Sequence, residues 1–378
     1  MITAYFIALA ALLVCTAFVF FVRLRMAFQK YTPKQAFEIT ADLPTVSVCI
    51  PARNEMHAMT QCLEHVLASN YEKLEIIVYD DSSVDDTSVL IRSFAHEGVR
   101  FVPGTKLPAE WLGRNYALQT LAKEASGEYV LFLDVDTLIQ PTTISQLVSY
   151  IISTKSSMVS VLPQRSDLWR PSVLFSTLRY FWQLIFNGKT SPAVSSSAWL
   201  IERESFLADG GFEPHKAEVQ PETHIAVSLA GAYSPLVSTA TLGVSFEKRW
   251  GSQIETSRRL LLPMTGGAWW QGVLGVLGLT FLNVPFFTVL TSITIGWTLE
   301  HSIMAAITVL FMAVYGYYTQ RMWAKGWWLG ALLFPAVVFQ ELIVFIQSII
   351  GYSRRSITWK GRPVSSGAQR TDSISYNK

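Results

Sequence analysis

The sequence predicts an α/β domain built on a mostly parallel sheet, set between one apolar helix on its amino-terminal side and several on its carboxyl-terminal side. Three observations predict it. Strand-like and helix-like segments alternate through residues 45–262, three of the strands end in ionisable side chains, and uncharged apolar runs flank the stretch on both sides. Half of the 378 residues are hydrophobic and only 15% are charged, too greasy for an ordinary soluble domain. The net charge is +2, and nothing in its distribution suggests a nucleic-acid partner.

Residues 2–22 (ITAYFIALAALLVCTAFVFFV) carry no charge, about the length that spans a bilayer. Arg23, Arg25, Lys30 and Lys34 follow the run instead of preceding it, which argues against a cleaved signal. Residues 1–25 therefore read as an uncleaved anchor with the following chain in the cytoplasm of a multi-pass cell-membrane protein. Within 45–262, "TVSVCIP" (45–51) and "LEIIVYDD" (74–81) read as strands, with a helix at 55–68 between them. A helix over 85–97 opens on Asp85 and Asp86, which suit the positive end of its dipole. "VRFV" (99–102), a helix over 113–125 and "EYVLFLD" (128–134) complete the alternation.

The second greasy region, 266–352, divides into spans near 268–297, 302–319 and 327–350. Three crossings would leave Arg354, Arg355, Lys360 and Arg362 outside, against the positive-inside tendency. Either the tail (353–378) breaks that rule, or one span is a re-entrant hairpin broken at Asn283-Val284-Pro285 or at Pro335. Cys15, Cys49 and Cys62 form no CxxC, so neither zinc nor a disulfide framework is indicated.

In a parallel sheet, ligands bind beyond the carboxyl ends of the strands. Arg53-Asn54-Glu55, Asp80-Asp81 and Asp134-Asp136 all fall there and should face one crevice. Carboxylates at i and i+2 suit a hard divalent cation, Mg²⁺ or Mn²⁺, that offsets charge on a departing phosphate. The plain alternative for Asp134-Val135-Asp136 alone is a solvated acidic turn. The acids ending the second strand favour a nucleotide-diphosphate site. No glycine-rich dinucleotide or P-loop motif is present.

"IPARNE" (50–55), "EIIVYDDSSVDDT" (75–87), "LGRNYAL" (112–118) and "LFLDVDT" (131–137), then "GGF" (210–212) and Glu222, resemble family-2 glycosyltransferases of the GT-A fold. With the anchor, the apolar carboxyl-terminal spans and the "WKGR" tail (359–362), the layout is similar to the 4,4′-diaponeurosporenoate and hopene-associated glycosyltransferases. The resemblance implies that Pro51, Ala52, Arg53 and Glu55 line the nucleoside pocket and that Asp81 bonds the uracil edge. It puts Arg114 and Asn115 near diphosphate and ribose, Asp134 on ribose or sugar, and Asp136 on the metal. Arg249 of "EKRWGSQ" would contact the diphosphate, and Arg258-Arg259 is expected at the membrane surface near anionic headgroups. His215 and His224 read as surface histidines. Residues 172–186 read either as an interfacial helix admitting a lipid acceptor or as an ordinary core helix.

Family members usually carry Glu-Asp at the acceptor site, the Asp being the base. Here the pair is Glu222-Thr223. An acceptor carboxylate is already ionised at neutral pH and needs no such base. The expectation is a membrane-bound, inverting hexosyltransferase that uses a UDP-sugar, with Asp136 and Glu222 as catalytic residues. The acceptor would be lipid-soluble, an apocarotenoid acid being the case that suits Thr223. Polyprenyl phosphate, hopanoid or diacylglycerol are rival acceptors, and a membrane protein that binds nucleotide without turnover is the rival class.

Overall fold

A computed structural model describes residues 2–33, 43–166, 175–229 and 231–364. Helix α1 (Ile2–Tyr31) runs nine residues beyond the uncharged segment. It does so because its charged end docks on the domain, Arg23 Nε donating to Ile185 O at 2.9 Å and its Nη2 to Asn187 O at 2.8 Å. The alternation then appears in the expected order: β1 (Val46–Ala52), α2 (Met59–Leu67), β2 (Leu74–Asp80), α3 (Thr87–Ser93), β3 (Val99–Pro103), α4 (Gly113–Glu124) and β4 (Tyr129–Leu133). The expected helix at 55–68 starts late because Asn54 N is held by Ser83 Oγ at 2.9 Å and Glu55 N by Thr87 Oγ1 at 2.8 Å. Those bonds tie the end of β1 to the turn after β2. The helix expected over 85–97 is shortened to α3 and a 3₁₀ turn closed by Gly98.

The chain continues through β5 (Thr137–Leu138), α5 (Thr143–Thr154), β6 (Met158–Leu162), β7 (Gln164–Arg165), α6 (Arg179–Ile185), β8 (Ala198–Glu202), α7 (Arg203–Ala208), α8 (Pro221–Ser228), β9 (Tyr233–Val237) and β10 (Ser245–Phe246). The main sheet has seven strands in the order β3-β2-β1-β4-β8-β6-β9. β1 pairs in parallel with β2 from Val46↔Leu74 to Ala52↔Asp80, and with β4 from Val46↔Tyr129 to Cys49↔Phe132. This register brings the three ionisable strand ends to one edge. β8 runs antiparallel between β4 and β6. Its Trp199 stacks 4.3 Å from Phe132 and packs on Phe212 of the "GGF" segment. Phe212 is fully buried, so that segment fixes the approach to α8. A small sheet, β5-β10-β7, lays residues 247–249 over the tip of β4, Glu247 N donating to Asp136 O at 3.1 Å.

Beyond it lie α9 (Trp250–Met264), α10 (Trp269–Ile295), α11 (Leu299–Met322), α12 (Trp327–Leu332), α13 (Phe334–Ser353) and the hairpin β11 (Thr358–Trp359)–β12 (Arg362–Pro363). Among the described residues four helices, α1, α10, α11 and α13, are long and apolar enough to cross a membrane. α10 leaves the domain, and α11 returns to it, where Gln164 Nε2 donates to Arg321 O at 2.8 Å. The third expected span is broken after Leu333, with Pro335 in the first turn of α13. Phe334 stacks 6.2 Å from Phe311, halfway along α11. From there α13 runs back along α10 and onto α9, where Ser348 Oγ meets Leu262 N at 3.3 Å and Tyr352 Oη donates to Arg259 O at 2.6 Å. Both ends of the α12–α13 pair thus lie against the domain, Ala324 N before α12 donating to Arg165 O at 2.8 Å. Pro285 lies inside the continuous α10 and makes no such break.

Candidate active site

The edge where β1, β2 and β4 end opens into a cavity of about 700 Å³. Pro51, Ala52, Arg53, Glu55, Asp81, Arg114, Asp134, Asp136 and Arg249 all line it. Nine of the eleven sequence-predicted residues therefore come together. Asn115 does not join them: its Nδ2 donates to the carbonyls of His215, Lys216 and Glu218 at 2.9–3.2 Å. It ties down the 215–218 segment and leaves no donor for a ligand. Glu222 stands behind the cavity wall, 1% exposed.

Arg114, from the first turn of α4, joins the two carboxylates. It donates to Glu222 Oε1 through Nη1, to Asp134 Oδ1 at 3.1 Å and to Ser196 O at 2.8 Å through Nη2. Burial opposes its charge, but Glu222 and Asp134 outweigh that and raise its pKa above the ordinary arginine value. Glu222 is thereby committed to a buried ion pair and is poorly placed to collect a proton from an acceptor.

Asp136 meets Lys248, whose Nζ lies 3.0 Å from Oδ2. Burial disfavours that ammonium, yet Asp136 and Asp134 lift its pKa above the usual lysine range. Sequence reasoning weighed "EKRWGSQ" for Arg249 and passed over the lysine beside it. Arg259, expected at the membrane surface, lines the cavity, while Arg258 is exposed. Burial and the neighbouring Arg114 and Arg179 guanidiniums push the pKa of Arg259 down to about 10, so it stays charged at neutral pH. Its Nε and that of Arg179 are buried without a hydrogen-bond partner.

The donor set suits a divalent cation, which Asp136 would hold with Asp134 beside it. Mg²⁺ and Mn²⁺ are commonly bound by one or two carboxylates plus substrate phosphates. The Lys248 ammonium already occupies a cationic position against Asp136. Among the described residues no cluster of three or more His, Cys, Asp or Glu forms a self-sufficient metal site.

A second cavity, about 730 Å³ and largely apolar, opens beside the start of α8. Phe20 of α1, Trp182 of α6, Leu261 of α9, and Leu274, Gly278 and Leu282 of α10 line it. So do Thr223 and His224. The helix expected in 172–186 is present as α6, residues 172–174 lying outside the described residues. It contributes to both the core and this groove: Phe181 is buried, whereas Trp182 and Phe186 line the groove. His215 and His224 stack at 5.0 Å, and His224 Nε2 lies 3.7 Å from Glu218 Oε2.

A mostly parallel seven-stranded sheet with these acid-tipped strands is a GT-A fold, the architecture of nucleotide-sugar glycosyltransferases. Residues 47–207 match the model of Glycosyl transferase family 2, and the chain carries a glycosyltransferase domain of that family. The chain is 33% identical over 143 residues to the probable glycosyltransferase YdaM of Bacillus subtilis, covering 35% of this chain and 34% of that protein. It is 24% identical over 175 residues to 4,4′-diaponeurosporenoate glycosyltransferase of Staphylococcus aureus, covering 44% and 46%. The matched stretches span about a third to a half of these relatives. Among solved structures, the mannosyltransferase PcManGT of Pyrobaculum calidifontis, in complex with GDP-Man and Mn²⁺, superposes with a TM-score of 0.56 at 18% identity. That match covers 93% of this chain and 98% of the other.

Proposed function

We propose that this protein is a membrane-bound, inverting glycosyltransferase that moves a hexose such as glucose from a UDP-sugar to a lipid-soluble acceptor. One observation carries the reading: Glu222 pairs with Arg114 of the polar cavity's lining, and the next residue, Thr223, lines the apolar groove, so adjacent residues stand between the two chambers. A sugar nucleotide suits the first chamber and an apolar tail the second, which puts the acceptor's reactive end between them. The Staphylococcus relative's named substrate, an apocarotenoid acid, fits that description.

In this reading Asp81 accepts from the base, while Arg53, Arg249 and Lys248 hold the diphosphate. Mg²⁺ or Mn²⁺ on Asp136 would supply positive charge for the departing diphosphate. The acceptor oxygen gives an electron pair to the anomeric carbon as the bond to the diphosphate breaks, and the configuration inverts. Arg114, Arg179 and Arg259 lie close enough to oppose one another's charge, with Asp134 beside them, and suit an acceptor that arrives as an anion. With Thr223 where the family has its Asp, an apocarotenoid carboxylate fits best.

The acceptor's protonation state gives the test. On an apocarotenoid acid, Glu222→Gln should cost only a few-fold, because Gln keeps a hydrogen bond to Arg114, and the rate should stay flat with pH above the acid's own pKa. Thr223→Asp should leave the acid unimproved and speed transfer to the corresponding alcohol. A loss of about 10²–10⁴-fold in Glu222→Gln on the acid would make Glu222 a general base and sink the carboxylate reading. A hydroxyl acceptor is the second reading, favoured by His224 beside Glu218 in the groove. It requires His224→Gln to abolish transfer to the alcohol.

The same reading gives a cell-membrane topology with the catalytic domain in the cytoplasm: α1, α10 and α11 cross, and α12–α13 is re-entrant. Arg354, Arg355, Lys360 and Arg362 then lie on the same side as Arg23 and Arg25, as the positive-inside tendency favours. A cysteine at Trp297, in the exposed α10–α11 turn, should react with an impermeant thiol reagent on intact cells, while one at Ser356 should react only after permeabilisation. Labelling of both on intact cells would refute this topology.

A further inference from the structure

The segment after α13 does not trail away from the domain. It folds into the β11–β12 hairpin and lies across the mouth of the polar cavity, which Trp359 and Lys360 help to line. Its turn residues, Lys360 (φ 47°) and Gly361 (φ 78°), are both left-handed, the geometry of a tight two-residue hairpin turn. A lysine in that conformation is strained, and a lone two-stranded hairpin is marginal in water. Its contacts with the domain must therefore hold it.

Those contacts fall on the acids of the nucleoside pocket. Arg362 Nη1 donates to Asp81 Oδ2 at 2.6 Å, and Lys360 Nζ pairs with Glu55 Oε1. Lys360 Nζ also reaches Arg53 O at 2.9 Å, and its backbone N donates to Glu255 Oε1 at 3.0 Å. Trp359 lies under the Arg259 guanidinium at 5.2 Å. Gly113 makes room for the arginine: a Cβ there would stand 2.7 Å from Arg362 Nη1 and 3.0 Å from Asp81 Oδ2. Asp81 is 4% exposed, so without a cation it would be a nearly bare buried charge.

We propose that this carboxyl-terminal strap is a working part of the donor site, with Arg362 and Lys360 as positioning residues that hold Asp81 and Glu55 for a nucleoside diphosphate. Arg362 occupies one oxygen of Asp81 and leaves Oδ1 for the imide N–H of a pyrimidine. Burial raises the Asp81 carboxyl above the usual aspartate range, and Arg362 and Arg53 oppose that rise. Lys360 anchors Glu55 to the β1 terminus in the same way. The inference rests on the donor reading above and adds residues from beyond the matched family region.

The test uses the full chain in detergent and UDP as the probe. UDP binding is measured calorimetrically with Mg²⁺ present, alongside the KM and kcat for UDP-sugar hydrolysis or transfer. Arg362→Gln should weaken UDP binding and raise KM by about 10–100-fold, the range for losing a charge-assisted hydrogen bond, with kcat nearly unchanged. Arg362→Lys should recover part of the loss, and amide exchange across 358–363 should slow when UDP binds. Unchanged UDP affinity in Arg362→Gln, with only a lower melting temperature, would make the strap a passive buttress and overturn the proposal. Tighter binding would make it an inhibitory latch and overturn it equally. A wild-type protein that binds no UDP would instead overturn the donor reading itself.

Discussion

Asp136→Asn should cut sugar transfer by about 10³-fold or more while leaving the fold and the nucleoside end of the site intact. The change keeps the shape and removes the charge that, in the proposed reading, would hold a divalent cation. A bound cation contributes several kcal/mol of charge stabilisation to a departing diphosphate, and each ~1.4 kcal/mol is about tenfold in rate. The side chain lies just past the tip of β4 and pairs, among the described residues, with Lys248 Nζ at 3.0 Å. Lys248 keeps the neighbouring Asp134 as a counter-charge, so the variant should melt close to wild type. The check is initial rate against Mg²⁺ or Mn²⁺ concentration, with the melting temperature measured on the same sample. Activity within tenfold of wild type at saturating metal would remove Asp136 from the metal site.

Gly278→Trp should reduce transfer to a long-chain acceptor by about 10²-fold while sparing a short-chain analogue. Gly278 lines the apolar groove, and a Cβ there meets nothing within 4 Å, so a side chain can grow into the space without displacing backbone. Glycine inside a helix is also the less favourable choice, so α10 should not suffer. Displacing about four methylenes of tail at roughly 0.8 kcal/mol each accounts for the size of the effect. Donor hydrolysis in the absence of acceptor should be unchanged. If the long-chain acceptor is used as well as before, the groove is not its binding site.

The sheet and the cavity were legible because they depend on local patterns. Buried parallel strands read as short β-branched runs, and a parallel register automatically gathers their carboxyl ends, so Arg53, Asp81 and Asp136 could be brought together without coordinates. The break in the third carboxyl-terminal span was legible as a choice between two prolines. Pro335, one of two candidate breaks, proved to be where the chain turns, while Pro285 is absorbed by the continuous α10. What escaped depends on contacts between residues far apart in sequence. Asn115 sits within a motif that suggests a ligand contact, but its amide is consumed by carbonyls a hundred residues away. Arg259 looked like half of a surface dibasic pair, and only the packing of α9 turns it inward. The strap cations lie about 280 and 305 residues from Asp81 and Glu55, a pairing that no spacing rule would find.

The most direct test of the account is the fate of the sugar. Membranes from cells making the protein are supplied with UDP-[¹⁴C]glucose, Mg²⁺ and an apocarotenoid acid, then extracted with organic solvent, beside Asp136→Asn and Gly278→Trp membranes. The account predicts label in the organic phase with wild type, in an alkali-labile ester, and nearly none with either variant. Label that stays in the aqueous phase with wild type, or that reaches the organic phase equally with Asp136→Asn, would contradict it.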